Sequence, residues 1–287
     1  MNIVMGTLLG PVTVRITQRA GLNAPPWVLL HGASGSWRTF RELQSSPAFP
    51  GGSDAVAIDL PGWGDSPGRC PFTIEEQGTV VAAILTALGY HSWHLFGHSM
   101  GGVLALEVAA AHPERTLTAV VLSPTALSAA RALHRPLRHL PMAPLVGMYW
   151  VMRFLNLTGP SARPLVAFAL RIRLLPLILG PFFSRPAGLP AGVFADLAGD
   201  VRPASFIAAA RALHEYDVGR WQAIAARVVL LRGERDIFTP DGELSELCAL
   251  IPGSHSAVLH GTGHFAHIED ADAIAELIAT SGHRRLS

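Results

Sequence analysis

Residues 93–111 read Trp93-His-Leu-Phe-Gly97-His98-Ser99-Met100-Gly101-Gly102-Val-Leu-Ala-Leu-Glu-Val-Ala-Ala-Ala111. A short apolar run that suits a buried strand (Trp93–Phe96) meets a helix-forming run (Val103–Ala111) across Gly-x-Ser-x-Gly, and His112-Pro113 stops the helix. A strand that turns this sharply into a helix leaves the serine at the apex in a strained backbone conformation. The positions around it must be small so that neighbouring backbone can approach. The first helical N–H groups are unpaired and favour negative charge. This is the arrangement of a nucleophile elbow, and it makes Ser99 the candidate nucleophile.

Outward from the elbow, similar apolar runs recur: Trp27–His31, Ala55–Leu60, Ala119–Leu122, Val228–Leu231 and Ala257–Leu259. Continuous runs of this kind suit strands covered on both faces. Helical stretches lie between them. One is Thr73–Leu88, opened by the capping box Thr73-Ile-Glu-Glu76, and another is Asp270–Ala279. The alternation predicts an α/β fold with a mostly parallel central sheet flanked by helices. Val12–Thr17 alternates apolar and polar residues and is expected to be an antiparallel edge strand. The rhythm breaks over residues 125–221, which read as helical and rich in Leu, Ala, Pro and Arg, and it resumes at Val228. The expected organisation is a core of residues 1–124 and 222–287, with 125–221 inserted at the strand C-termini, where open α/β sheets bind ligands.

A serine needs a base held in place by a third group. Of the 13 histidines, His264 in His260-Gly-Thr-Gly-His264 follows the last expected strand in a glycine-flanked loop. His260 and His267 are its local rivals. His98 adjoins the nucleophile and should point away from it, packed or hydrogen-bonded. Asp236, in Leu231-Arg-Gly-Glu-Arg-Asp236, is the candidate acid, with Glu234 and Asp241 as alternatives. The loop after Ala119–Leu122 reads Ser123-Pro-Thr-Ala and offers no carboxylate. The loop His31-Gly-Ala-Ser-Gly35 can aim a backbone N–H at an oxyanion, joined by that of Met100.

Composition bounds the function. The formal net charge is +1, so no basic excess points to nucleic acid. All 22 basic residues are arginine, which we read as codon bias. Cys70 and Cys248 are too few for a disulfide framework and suit a cytoplasmic location. Met1–Gly10 lacks the basic start of a signal peptide, and no run of about 18 uncharged apolar residues suggests a membrane span. No metal-ligand spacing or dinucleotide fingerprint is present, so no cofactor and no metal is expected.

The chain resembles the α/β-hydrolase superfamily over nearly its whole length. The His-Gly loop, Asp59-Leu-Pro-Gly-Trp-Gly-Asp-Ser66, the elbow, Gly233-Glu-Arg-Asp236 and Gly261-Thr-Gly-His-Phe-Ala-His-Ile-Glu269 stand in that family's order. The resemblance implies the triad Ser99, Asp236 and His264, oxyanion donors at Ala33 and Met100, and a helical lid from about Thr125. It also narrows the subgroup. Haloalkane dehalogenases and epoxide hydrolases carry aspartate at the elbow. Prolyl aminopeptidases usually have Gly-Gly-Ser-Trp-Gly, and carbon–carbon bond hydrolases typically have Asn where His98 stands. Lid-bearing esterases and lipases remain. The expected activity is hydrolysis of a carboxylic ester or thioester through an acyl-enzyme. The alternatives are a lyase, cyclase or carbon–carbon bond hydrolase, or a ligand-binding protein on the same fold. The lid stretch Leu137–Phe183 is apolar, so a small apolar acyl substrate is expected, with transient lipid contact as a further reading. Most of its apolar side chains are expected to bury themselves on the core. Its arginines are expected to be solvated, and Arg211, His214, Glu215 and Asp217 are weak candidates for the pocket.

Overall fold

A four-residue strand can hold its place in a sheet when both faces carry apolar cover. Trp27–Leu30 shows how. In the computed structural model of the chain, Val28 and Leu30 enter one core with Val80, Leu104 and Val108, while Trp27 and Leu29 enter a second with Phe40, Leu43 and Ile278. All four are buried, and each large side chain removed from water contributes about 1.5–3 kcal/mol. The structure describes residues 1–17, 20–21, 24–68, 71–134 and 142–283. Cys70 and residues 137–141 lie outside these; Cys248 is a free thiol.

The strands are β1 (Asn2–Thr7), β2 (Gly10–Thr17), β3 (Trp27–Leu30), β4 (Ala55–Ile58), β5 (Trp93–His98), β6 (Thr116–Leu122), β7 (Arg227–Gly233) and β8 (His255–Leu259). Among the described residues they form an eight-stranded sheet in the order β1-β2-β4-β3-β5-β6-β7-β8. β1 and β2 are antiparallel to their neighbours and the rest are parallel. The edge is therefore β1, and Gly10–Thr17 lies one strand inside it, paired with both β1 and β4. The earlier hairpin partner had no visible alternation because β1 is at most half-buried along its length.

Helix α1 (Arg41–Ser45) follows β3, α2 (Ile74–Ala87) follows β4 and α3 (Met100–Ala111) follows β5. The capping box forms: Glu76 N–H donates to Thr73 Oγ1 (3.1 Å), and Thr73 N–H donates to Glu76 Oε2 (2.8 Å). Between β6 and β7 the chain runs through α4 (Leu127–His134), α5 (Ala143–Leu157), α6 (Ala162–Arg171), α7 (Leu174–Leu179), α8 (Val193–Gly199) and α9 (Pro203–Glu215). Helix α10 (Asp241–Leu250) follows β7, and α11 (Ala266–Glu269) and α12 (Ala271–His283) follow β8.

The connection from β3 runs to β4 on one side, and β5 then pairs with β3 on the other. The strand order thus reverses at β3 and β5. A crevice opens outside the C-terminal ends of two strands whose following loops diverge, the general ligand site of open α/β sheets. Ser99 follows β5 and the His31 loop follows β3, so both functional loops empty into that crevice.

The helical section is anchored at its C-terminal end by a buried charge. Glu107 on α3 is 2% exposed at its side chain; it accepts bonds from Tyr216 Oη (2.5 Å) and from Arg220 through Nε (3.0 Å) and Nη2 (2.9 Å). Burial, and then the bond to the Glu107 carboxylate, push the Tyr216 phenol up. Arg211 and Glu215 by contrast pair on the surface at i,i+4 (2.8 Å). We predict that Arg220→Ala, which leaves the Glu107 charge buried with one partner fewer, costs about 3 kcal/mol in urea unfolding. Arg211→Ala should cost less than about 0.5 kcal/mol.

Candidate active site

Ser99 has φ 55° and ψ −119°, a conformation that costs a non-glycine residue about 1–3 kcal/mol and persists only where the surroundings enforce it. The enforcement is visible. A Cβ on Gly101 would lie 2.1 Å from the Leu30 carbonyl oxygen, and one on Gly97 would lie 2.3 Å from the Gly101 carbonyl oxygen. The start of α3 therefore passes directly against β3, and only glycine permits it. Ser99 N–H donates to the Leu122 carbonyl (2.9 Å), which ties the apex to β6. Ser99 Oγ lies 3.3 Å from Thr125 Oγ1. Sequence reasoning searched the loop after β6 only for a carboxylate and so missed this hydroxyl.

His264 Nδ1 lies 2.9 Å from Asp236 Oδ1. A carboxylate only accepts, so Nδ1 carries the proton and Nε2 is left as the basic nitrogen. Asp236 Oδ1 also accepts from the backbone N–H groups of Phe238 (2.8 Å) and Thr239 (3.2 Å). Burial alone would push this carboxyl up. The His264 charge and hydrogen bond, the Phe238 N–H and the Ser123 hydroxyl together hold it below the usual carboxylate range. Ser99 and His264 line one cavity, although no hydrogen bond joins them among the described residues. Such bonds are commonly loose without substrate.

The rivals go elsewhere. His260 is exposed and faces Glu234 (3.4 Å), while Asp241 pairs with Arg232. His267 is fully buried, its ring against those of Phe40, Phe96 and His98. His98 is also buried, and its Nε2 lies 3.0 Å from the His264 carbonyl oxygen, so it holds the backbone of the His264 loop. Desolvation pushes His98 well below the ordinary histidine range, and the neighbouring His267 and His264 add to this. Desolvation drives His267 down to about 3, with His264 again adding to it.

The His31 loop is fixed through its own imidazole. Leu60 N–H donates to His31 Nε2 (3.0 Å), so Nδ1 is the protonated nitrogen that donates to the Gly32 carbonyl (2.8 Å). Asp59 accepts from the backbone N–H groups of Trp37 (2.7 Å) and Asp65 (3.0 Å), and Ser66 Oγ donates to its carbonyl (2.6 Å). The Asp59–Ser66 motif is thus a brace for the loop that carries Ala33. On the other side, Glu269 accepts from Gly263 N–H (2.6 Å) through one oxygen, and from Ser184 (2.7 Å) and Arg185 (2.9 Å) N–H groups through the other. His264 N–H donates to the Phe182 carbonyl (2.8 Å). The His264 loop is therefore stitched to the helical section, a role the sequence did not reveal.

Ala33, Met100, Ser99 and His264 line a cavity of about 130 Å³. Its other walls are mostly apolar and include Leu145, Met148 and Met152 from α5 and Phe206 and Leu213 from α9. Arg211, His214, Glu215 and Asp217 do not line it: the first three are exposed on α9, and Asp217 accepts from Gly219 N–H (2.9 Å). Gln77 is the buried amide in this wall. No group of three or more His, Cys, Asp or Glu side chains that could hold a metal occurs among the described residues.

A serine at a strained strand-to-helix apex, a histidine–aspartate pair on the loops after β8 and β7, and eight strands in this order form one constellation. A model of the alpha/beta hydrolase fold matches residues 25–271. The chain belongs to that family. It is 27% identical over 251 residues to a pimeloyl-[acyl-carrier protein] methyl ester esterase of Neisseria meningitidis, covering 87% of this chain and 90% of that one. It is 36% identical over 109 residues to the lipase LipV of Mycobacterium tuberculosis, covering 37% of this chain and 40% of the other. The esterase EaEST of Exiguobacterium antarcticum superposes with a TM-score of 0.74 at 17% identity over 99% of this chain and all of its own, a likeness of fold.

Because Ser99 is held at positive φ, Ser99→Gly should be more stable than Ser99→Ala by about 1–3 kcal/mol in chemical denaturation. The buried neutral histidines set an acid limit. Between the ordinary histidine pKa and the lowered folded value, only the unfolded chain binds the proton. Stability from each ring is full above about pH 6.5 and falls by up to about 1.4 kcal/mol per pH unit below it. His267→Phe, which keeps an aromatic ring among Phe40, Phe96 and Phe265, should raise the urea midpoint relative to wild type at pH 5 and shrink that advantage at pH 7.5.

Proposed function

We propose that this hydrolase cleaves a carboxylic ester or thioester of a small, largely apolar substrate through an acyl-enzyme on Ser99. One observation carries the reading: the strained Ser99 and His264, itself held by Asp236, line one cavity whose wall is mostly apolar. An ester carbonyl beside Ser99 would meet the serine hydroxyl while the acyl chain lies among Val103, Leu145 and Met148. The pimeloyl ester esterase and the lipase among its relatives support the same chemistry.

In this mechanism His264 Nε2 takes the Ser99 proton as Oγ attacks the acyl carbon. Asp236 holds the imidazole tautomer and stabilises its positive form. The N–H groups of Ala33 and Met100 receive the oxyanion; Met100 is the first residue of α3, where N–H groups have no intrahelical partner. The alcohol or thiol leaves with the proton from His264. Water, deprotonated by His264, then releases the acid and frees Ser99. Residues 125–221 act as a lid, since α5 and α9 supply walls of the cavity and the Phe182–Arg185 segment bonds to the His264 loop. Closing that lid excludes water and strengthens each polar contact within.

The test is reaction with a fluorophosphonate probe and mapping of the adduct by mass spectrometry. Labelling at Ser99 is expected in the wild type and absent in Ser99→Ala. On p-nitrophenyl butyrate, Ser99→Ala and Asp236→Asn should each lower kcat by about 10³-fold or more. An unlabelled Ser99 in folded protein, or turnover that survives Ser99→Ala, overturns the acyl-enzyme.

A further inference from the structure

The apolar side chains of α5–α7 were expected to be buried, and many are not. Of the fifteen large hydrophobic residues exposed among those described, ten lie between Trp150 and Ile178. They fall in stripes at helical spacing. Trp150, Phe154 and Leu157 follow one face of α5, Leu165, Phe168 and Ile172 run along α6 to its C-cap, and Leu174, Leu177 and Ile178 do so on α7. Leu157 is 83% exposed and Leu177 75%. Large exposed apolar side chains concentrated in one section of a chain mark an interaction face.

The charge around it is one-sided. From Arg115 to Ala195 the sequence contains nine arginines and no aspartate or glutamate, so the remaining thirteen arginines share the chain with all 21 acidic residues. Arg153, Arg163, Arg171 and Arg173 are exposed and form no ion pair among the described residues. The Arg153 guanidinium sits 5.6 Å from the Trp150 ring, on the same face. Codon bias explains arginine in place of lysine, but it does not explain the missing carboxylates.

We propose that the exposed face of α5, α6 and α7 docks on an anionic phospholipid surface, with the apolar stripes in the acyl boundary and the arginines on lipid phosphates. A second copy of the chain would set this cationic face against its own like charge. An acidic globular protein would match the arginines but not ten large apolar side chains. An anionic bilayer satisfies both at the depths where these residue types partition. No single helix among those described is long and apolar enough to cross a membrane; α6 and α7 lie in a pair of apolar segments bent by 87°, a shape suited to lying on the surface. Helix α5 has its other face in the cavity, through Leu145, Met148 and Met152. On the hydrolase reading proposed above, the docked face would thus lie one helix away from the acyl pocket.

The experiment is flotation of the full chain with phosphatidylcholine vesicles containing half phosphatidylglycerol, beside pure phosphatidylcholine, with hydrolysis of soluble p-nitrophenyl butyrate measured in parallel. Partitioning at least about tenfold stronger to the anionic vesicles is expected, with loss at about 1 M NaCl, where charges are screened beyond about 3 Å. The triple variant Leu157→Glu, Phe168→Glu, Leu177→Glu and the double variant Arg153→Glu, Arg171→Glu should each lose at least about tenfold in vesicle binding at unchanged hydrolysis. Vesicle binding by a wild type that does not hydrolyse the ester would uphold docking while the hydrolase reading fails. Docking is overturned by equal partition to both vesicle types or by variants that bind as wild type. It is also overturned by absent vesicle binding, whether a dimer broken by the triple variant or capture of an acidic protein explains the face.

Discussion

The first turn of α3 passes so close to β3 and β5 that backbone meets backbone there. Gly97 and Gly101 leave no room for a Cβ, and the Leu30 carbonyl occupies the place where one would stand. This contact forces Ser99 to positive φ and aligns the α3 N-terminus with the end of the sheet. It also seats the elbow at the point where strand order reverses. The energy that maintains the strain comes from the two apolar cores on either side of β3 and β5, whose strand residues are almost all buried. Burial of a few such side chains exceeds a backbone strain of about 1–3 kcal/mol. The elbow is therefore stable because it is placed in the centre of the sheet and not at its rim.

That placement also explains what sequence reading captured. Central strands bury both faces, so β3, β4, β5 and β6 appear as short, mainly apolar runs, and the elbow between β5 and α3 has fixed spacing. The edges behave differently: β8 shows an apolar run at Ala257–Leu259 although it is largely exposed, not covered on both faces, and β1 carries no such run. β1 is polar and apolar without a buried face, and it was visible only in its partner β2. The catalytic candidates were legible because each lies just past a strand end, where a short loop limits the choice. Thr125, Glu269 and His31 were harder. Their roles are hydrogen bonds to backbone or hydroxyl groups distant in sequence, and no local periodicity encodes these. The helical section misled in another way. Its apolar residues were read as core, yet composition cannot tell a buried stripe from an exposed one on a helix that is apolar on two faces.

The two halves of the site are held differently. The Ser99 side is fixed by sheet and glycine contacts within the core. The His264 side is fixed partly by the core, through Asp236 and His98, and partly by the helical section, through the Phe182 carbonyl and the Glu269 carboxylate. Movement of the Phe182–Arg185 segment would act first on Gly263 and His264 and would leave Ser99 in place. A site arranged this way can couple occupancy of the apolar cavity to the position of His264, the base in the proposed mechanism.

The buried histidines of the site fit the same division. His31, His98 and His267 are all pushed below the ordinary histidine range, in each case chiefly by desolvation. His98 lies with its ring centroid 4.8 Å from that of His264, and His267 lies 4.4 Å beyond it on His98. In the mechanism proposed above, a positive charge on either ring would oppose the imidazolium formed on His264. Keeping both neutral leaves Asp236 as the charge that His264 meets, and His98 still supplies its N–H to the His264 carbonyl. Aromatic side chains at these positions would fill the same volume without repulsion, but at position 98 they would lose that hydrogen bond. The neutral imidazole at 98 thus combines the packing of an aromatic ring with one buried donor, and burial is what keeps it from acquiring a second proton.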